Sequence, residues 1–179
     1  MCHFTRWSAA ILVVAAVVVQ ATVADAQIRD AGAKTRGEYG YRANSGGSSM
    51  RGARDYSNYY RQYAQSAPAQ PVDPEVARDA ADTIGTYISK AQRHFAWMRT
   101  QAKAASDKEA LASLDVIDKN LATAAKSHHE MHDTCLKADV DAAGSMKCCQ
   151  QIDDALAAAI AEHDKLMKKL AVAKPATTK

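Results

Sequence analysis

At 179 residues, with 23 lysines and arginines against 20 acidic residues, the chain has room for one domain and additional segments, and its charge is close to balanced. No Cys-x-x-Cys-His run, Glu-x-x-His pair, phosphate-binding glycine loop or Gly-x-Ser-x-Gly elbow occurs in it. Covalent c-type haem, a ferritin-like di-iron site and the common nucleotide and hydrolase sites therefore lack their residues, and the chain reads as a non-enzyme.

Residues 1–26 have the pattern of a secretory signal: Arg6 in a short n-region, an apolar run over Ala9–Val19, and Ala24-Asp25-Ala26 as a cleavage site before Gln27. The apolar run is too short for a bilayer-spanning helix, which needs about 20 residues. Export to the periplasm or the extracellular space follows, a setting in which disulfides persist. Cleavage would remove Cys2 and leave Cys135, Cys148 and Cys149.

The next segment, residues 27–72, holds six of the seven tyrosines and six of the eight glycines, with almost no aliphatic side chain larger than alanine. Between Gln27 and Gln70 there are seven basic and three acidic residues, a balance of +4, whereas from Pro71 onward fifteen basic face sixteen acidic, a balance of −1. A segment with so little to bury does not offset about 1–2 kcal/mol of backbone ordering per residue, so a flexible basic Tyr/Arg/Gly-rich tail is expected. The spacing of Tyr56, Tyr59, Tyr60 and Tyr63 predicts at most a short helix over 51–65. Interleaved Arg and Tyr would suit nucleic-acid stacking, but export argues against that partner. An anionic cell-envelope surface is a better match, and a plain linker that holds the bundle away from a surface is better still.

From Asp73 the composition changes to Ala, Leu, Asp, Glu and Lys, and a helical bundle is expected over 73–172, followed by a disordered C-terminus at 173–179. Asp73 caps a first helix with Pro74 in its first turn. Its apolar period runs through Ile84, Ile88, Phe95 and Met98. Ser106 and Glu109 form a capping box for a second helix, which carries Leu114, Ile117, Leu121, His128, Met131 and Cys135 on one seam and ends near Ala138. A turn over 139–145 containing Gly144 leads to a third, with Cys149, Ile152, Leu156, His163 and Leu166 in the same rhythm. The fold class is thus all-α, an antiparallel up-down-up three-helix bundle with long helices. Many seam positions are alanine, so the core is thin. A fourth helix drawn from the tyrosine-rich tail, or a second copy of the chain in a homodimer, would thicken it.

Chemistry concentrates where the second and third helices meet. The hairpin sets Cys135 opposite Cys148, with Cys149 as the alternative partner, and in an exported chain this is the setting of a structural disulfide worth about 3 kcal/mol. The same sulfurs also serve as metal ligands, because His128, His132 and Cys135 recur at one-turn spacing and Cys148 or Cys149 completes a mixed N/S set suited to zinc or copper(I). A second group is expected deeper in the bundle, where His94 and His163 approach one level, Met98 and Met167 lie one turn on, and His128 with Met131 repeats the pairing. Imidazole with thioether suits copper, then haem iron. The plain structural reading of these residues is a core of methionines and hydrogen-bonded histidines. On the sequence alone the chain is an exported helical-bundle protein with a binding or structural role, and its sharper alternative is a transition-metal protein, copper before zinc, with haem behind both.

Overall fold

The structure, a computed structural model, describes residues 37–66, 71–137 and 139–172. The expected signal segment 1–26, the beginning of the tail and the C-terminal 173–179 lie outside the described residues. Two compact units divide the chain, Met1–Tyr39 and Gly40–Lys179. Of the first only residues 37–39 are described, and all contacts named here lie within the second.

The described residues are all-helical, with four helices: α1 over 37–66, α2 Pro74–Ala104, α3 Lys108–Cys135 and α4 Ala142–Val172. None of them is long and apolar enough to cross a membrane. The all-α class agrees with the sequence; the count of three helices does not. Residues 37–66 of the expected flexible tail form one continuous helix, longer than the short helix anticipated at 51–65. The thin core is filled by this fourth helix from the tyrosine-rich segment.

The physical reason lies in which residues α1 buries. Ala43, Gly46, Gly47, Met50, Ala53, Ser57, Tyr60 and Ala64 are buried along one face, mostly at spacings of three and four. The period is helical, but six of these eight positions are glycine, serine or alanine, so the face is flat instead of greasy. Neighbouring rings use that flatness. A Cβ added at Gly46 would stand 2.7 Å from Phe95 Cζ, one at Gly47 2.5 Å from His163 Cε1, and one at Gly52 2.9 Å from Tyr87 Cε1. The helix is held by close packing in spite of its glycines, each of which costs about 1 kcal/mol of helix propensity.

Ion pairs on the same helix run to α4. Arg51 Nη2 lies 2.7 Å from Asp164 Oδ1 and Arg54 Nε 2.6 Å from Asp153 Oδ1, and Asn58 donates to the same Asp153 oxygen at 3.1 Å. Three of the tail's basic side chains thus meet α4, since Arg61 also donates to Gln150. Pairings of 51 with 164 and 57 with 149 make α1 antiparallel to α4, and those of 46 with 95 and 52 with 87 make it antiparallel to α2.

The helix boundaries follow local chemistry. Asp73 caps α2, its Oδ1 accepting from Glu75 N at 2.8 Å, as the sequence predicts. At α3 the cap is Asp107, which accepts from Ala110 N at 2.9 Å, and not Ser106, whose φ of 55° places it in the left-handed region of the tight α2–α3 turn. α3 ends at Cys135. Gly144 falls inside the first turn of α4, not in a loop, because Asp141 Oδ1 accepts from Gly144 N at 2.9 Å and starts the helix earlier. Asp115 and Asp118 of α3 clamp Arg99 of α2 at 2.6 and 2.7 Å.

Candidate functional site

Two groups of side chains carry chemistry: a buried sulfur cluster where α1, α3 and α4 meet, and a pair of histidines that bridge between helices.

In the sulfur cluster, Met131 and Cys135 lie one turn apart on the buried face of α3, and Cys149 faces them from α4. Cys149 Sγ stands 3.5 Å from Met131 Sδ. All three residues are within 1% of complete burial, and Cys148 is 8% exposed at the rim. The cysteines are present as thiols. α1 covers them: Ser57 Oγ donates to the Cys149 carbonyl at 3.0 Å, and the fully buried Tyr60 hydroxyl hydrogen-bonds Ser145 Oγ at 3.0 Å and also reaches the Cys135 thiol. Burial is the main cause that holds all three thiols in their neutral form. It raises Cys135 and Cys148 above the ordinary thiol range and pushes Cys149 up to about 12. Such thiols are poor nucleophiles.

The histidines are engaged by backbone. His128 Nε2 lies 2.9 Å from the Ala81 carbonyl oxygen on α2, and His163 Nε2 lies 2.9 Å from the Ala43 carbonyl oxygen on α1. In each case the imidazole rests on the glycine four residues further along the receiving helix, Gly85 and Gly47, where a Cβ would stand 2.5 Å from the ring. These are two copies of one latch: an Ala-x-x-x-Gly helix face receives a histidine from the neighbouring helix. His163 is buried, its other nitrogen facing Asp164 Oδ1 at 3.2 Å. His128 is only half-buried, because Ser127 takes the inward position on α3 that the sequence pattern gives to the histidine.

The deeper group of His94, His163, Met98 and Met167 is not assembled as a site. His94 packs edge-on against Tyr41, ring centres 6.4 Å apart, while His163 packs against Phe95 at 5.9 Å. Met98 is buried core, Met167 is half-buried, and Asp118 is taken by Arg99. Among the described residues no group of three or more His, Cys, Asp or Glu side chains is placed to hold a metal ion. Sequence reasoning missed Ser57, Tyr60 and Ser145 around the sulfurs, and Asp82, whose Oδ1 lies 3.6 Å from His132 Nε2. Asp82 sits on a different helix from His132, so no motif spacing signals it.

Burial lowers His128 and His94 below the ordinary histidine range, with His132 and His129 adding to the effect at His128 and Arg42 and Arg93 at His94. The folded chain therefore binds fewer protons than the unfolded chain once the pH falls below about 6.5, and stability is lost on that side. The raised thiols act in the opposite sense. The unfolded chain releases thiol protons above about pH 8.5 while the fold retains them, so stability is lost as pH rises. The melting temperature measured across pH is expected to peak between these limits and to decline on both sides; a profile flat from about pH 5 to 10 would contradict the burial of these groups.

Comparison of the chain with protein-family models, with curated proteins and with solved structures finds no match to any of the three.

Proposed function

We propose that this chain is an exported, non-enzymatic helical-bundle protein of the periplasm or cell envelope whose role is to bind copper(I) through the sulfurs of Cys135, Cys149 and Met131. The observation that carries the reading is the 3.5 Å approach of Cys149 Sγ to Met131 Sδ inside the core, with Cys135 one turn away on the same face of α3. Thiolate and thioether are soft ligands that prefer Cu(I) to harder ions, and zinc, which favours four ligands, ranks second. Two thiolates around Cu(I) leave one negative charge, and Arg61 is the cation whose field favours the Cys149 thiolate. Because both thiols are held protonated, each must lose its proton as the metal binds.

The test is a titration of reduced, tag-free protein with Cu(I) under anaerobic conditions against a chromophoric competitor. One equivalent is expected to bind, with about two protons released and an affinity that rises about 100-fold per pH unit near neutrality. Cys149→Ser should weaken binding by at least about tenfold. Wild-type protein that takes up no Cu(I), or a Cys149→Ser variant that binds unchanged, overturns the proposal.

A second reading attaches to Cys148, the thiol at the rim, which lies close enough to Cys135 to act on its ionisation. In it Cys135 and Cys148 form the structural disulfide of the exported protein. The same samples decide between the two: alkylation and intact-mass measurement of unreduced protein would find one free thiol among the three, and Cu(I) uptake would be lost until the bridge is reduced.

A further inference from the structure

The groove between α2 and α3 encloses about 500 Å³ and is lined by Asp82, Gly85, Ser89, Gln92, His128 and His132 among others. It lies apart from the sulfur cluster and opens to solvent. The latch fixes His128 within it. A carbonyl oxygen only accepts, so the 2.9 Å contact with the Ala81 oxygen puts the ring proton on Nε2 and leaves the lone pair on Nδ1. A histidine whose far nitrogen is pinned to a backbone carbonyl is in the state in which histidines bind metals, with tautomer and ring plane already set. Gly85 lets the ring approach the α2 backbone this closely.

The other donors stand beside it. His132 follows one turn later on the same face, the two rings 6.1 Å apart at their centres. Its Nε2 lies 3.6 Å from Asp82 Oδ1. In a tetrahedral site with bonds of about 2.0–2.1 Å, two ligand atoms stand about 3.4 Å apart, so this pair is near the spacing of two ligands on one ion. The other latch lacks such a site: His163 makes the same bond to a carbonyl, but its second nitrogen is faced by Asp164 at 3.2 Å and the ring is closed off from solvent.

We propose that His128 Nδ1, His132 Nε2 and the Asp82 carboxylate bind one divalent transition-metal ion, with water as the remaining ligand. As placed, the three side chains do not form a group that holds an ion. Closure requires rotation of His132 and Asp82, whose side chains are 34% and 72% exposed and so are free to turn. His128, half-buried and pinned to the Ala81 carbonyl, is already set. Two neutral imidazoles and one carboxylate match zinc(II), with copper(II) next in type, and the site is independent of the soft sulfur cluster.

The full chain titrated calorimetrically with zinc(II) tests this, with the Cys149→Ser variant alongside to silence the sulfurs. The Cys149→Ser protein is expected to bind one equivalent and wild type at least one, and the imidazole NMR signals of His128 and His132 should move while those of His94 and His163 stay in place. His128→Ala would also break the latch, so the deciding variant is Asp82→Asn with His132→Gln, for which at least a tenfold loss of affinity is expected. His129→Gln, at the rim of the same groove but with its exposed ring turned to Asp133 at 3.8 Å, should bind as wild type does. Absence of zinc binding to wild type, retention of full affinity by the double variant, or an equal loss in His129→Gln would each overturn the assignment.

Discussion

Replacing Tyr60 by alanine is expected to cost about 3–5 kcal/mol of folding free energy, the range for deleting a large aromatic side chain from a packed core. The residue lies in the segment whose composition suggests a flexible tail, where the same substitution would cost nothing. Its ring is fully buried between α1 and the α3–α4 hairpin, and its hydroxyl meets Ser145 Oγ at 3.0 Å. Tyr60→Phe separates the two contributions. Ser145 Oγ has a second partner in the Ala142 carbonyl at 3.0 Å, so it is not stranded when the phenol is lost, and about 0.5–1.5 kcal/mol is expected. Urea denaturation followed by circular dichroism measures both. A Tyr60→Ala protein as stable as wild type would show that α1 is not part of the cooperative fold.

Gly47→Ala is expected to destabilise by about 2–3 kcal/mol, against the usual trend in helices. Alanine is favoured over glycine in a helix by about 1 kcal/mol. The added methyl, however, would stand 2.5 Å from His163 Cε1 and 2.8 Å from its Nε2. The ring is boxed in by Phe95 and Asp164, so it moves only by giving up its bond to the Ala43 oxygen. Overpacking costs about 1–3 kcal/mol and a stranded buried polar group a similar amount, which together exceed the gain in propensity. The sign should reverse once the ring is removed: in a His163→Ala background, Gly47→Ala is expected to stabilise by up to about 1 kcal/mol. Gly40, where a Cβ meets nothing within 4 Å, supplies the control, and Gly40→Ala is expected to stabilise in the wild-type background. A double-mutant cycle in urea with no coupling between positions 47 and 163 would remove the latch as an energetic unit.

What the sequence makes legible follows from what each element uses to fold. α2, α3 and α4 carry Ile, Leu, Phe and Met at core positions, so their period stands out, and the cap formed by Asp73 and Pro74 is local chemistry that needs no knowledge of neighbours. α1 has the same period written in glycine, serine, alanine and tyrosine around a single methionine, and it is the glycine and serine that signal a loop by composition. Its helix becomes visible only when Phe95, Tyr87 and His163 are known to lie against those small residues, and that information resides in other helices. The caps at Asp107 and Asp141 differ from expectation by local competition: Ser106 offers a hydroxyl, but its backbone turns left-handed, and Gly144 marks a bend by habit while a carboxylate three residues earlier starts the helix. In the candidate sites, the one-turn spacings on α3 bring Met131 to Cys135 and His128 to His132 as the sequence implies. The cross-helix members, Cys149 apart, were not legible. Asp82, Ser57 and Tyr60 acquire their places from tertiary packing alone.

α1 lies over the sulfurs as a cover, through Ser57 on the Cys149 carbonyl and Tyr60 on Ser145 and Cys135. Its inner face is built mostly of small side chains around Met50 and Tyr60, so lifting it away breaks the contacts of those two large residues and uncovers the sulfurs as a local opening of the fold. Reagents that reach the thiols, whether alkylating agents, oxidants or a metal carrier, then compete for a brief opened state. The rate at which Cys135 and Cys149 react is then set jointly by their raised thiol pKa and by how often this glycine-lined helix lifts away.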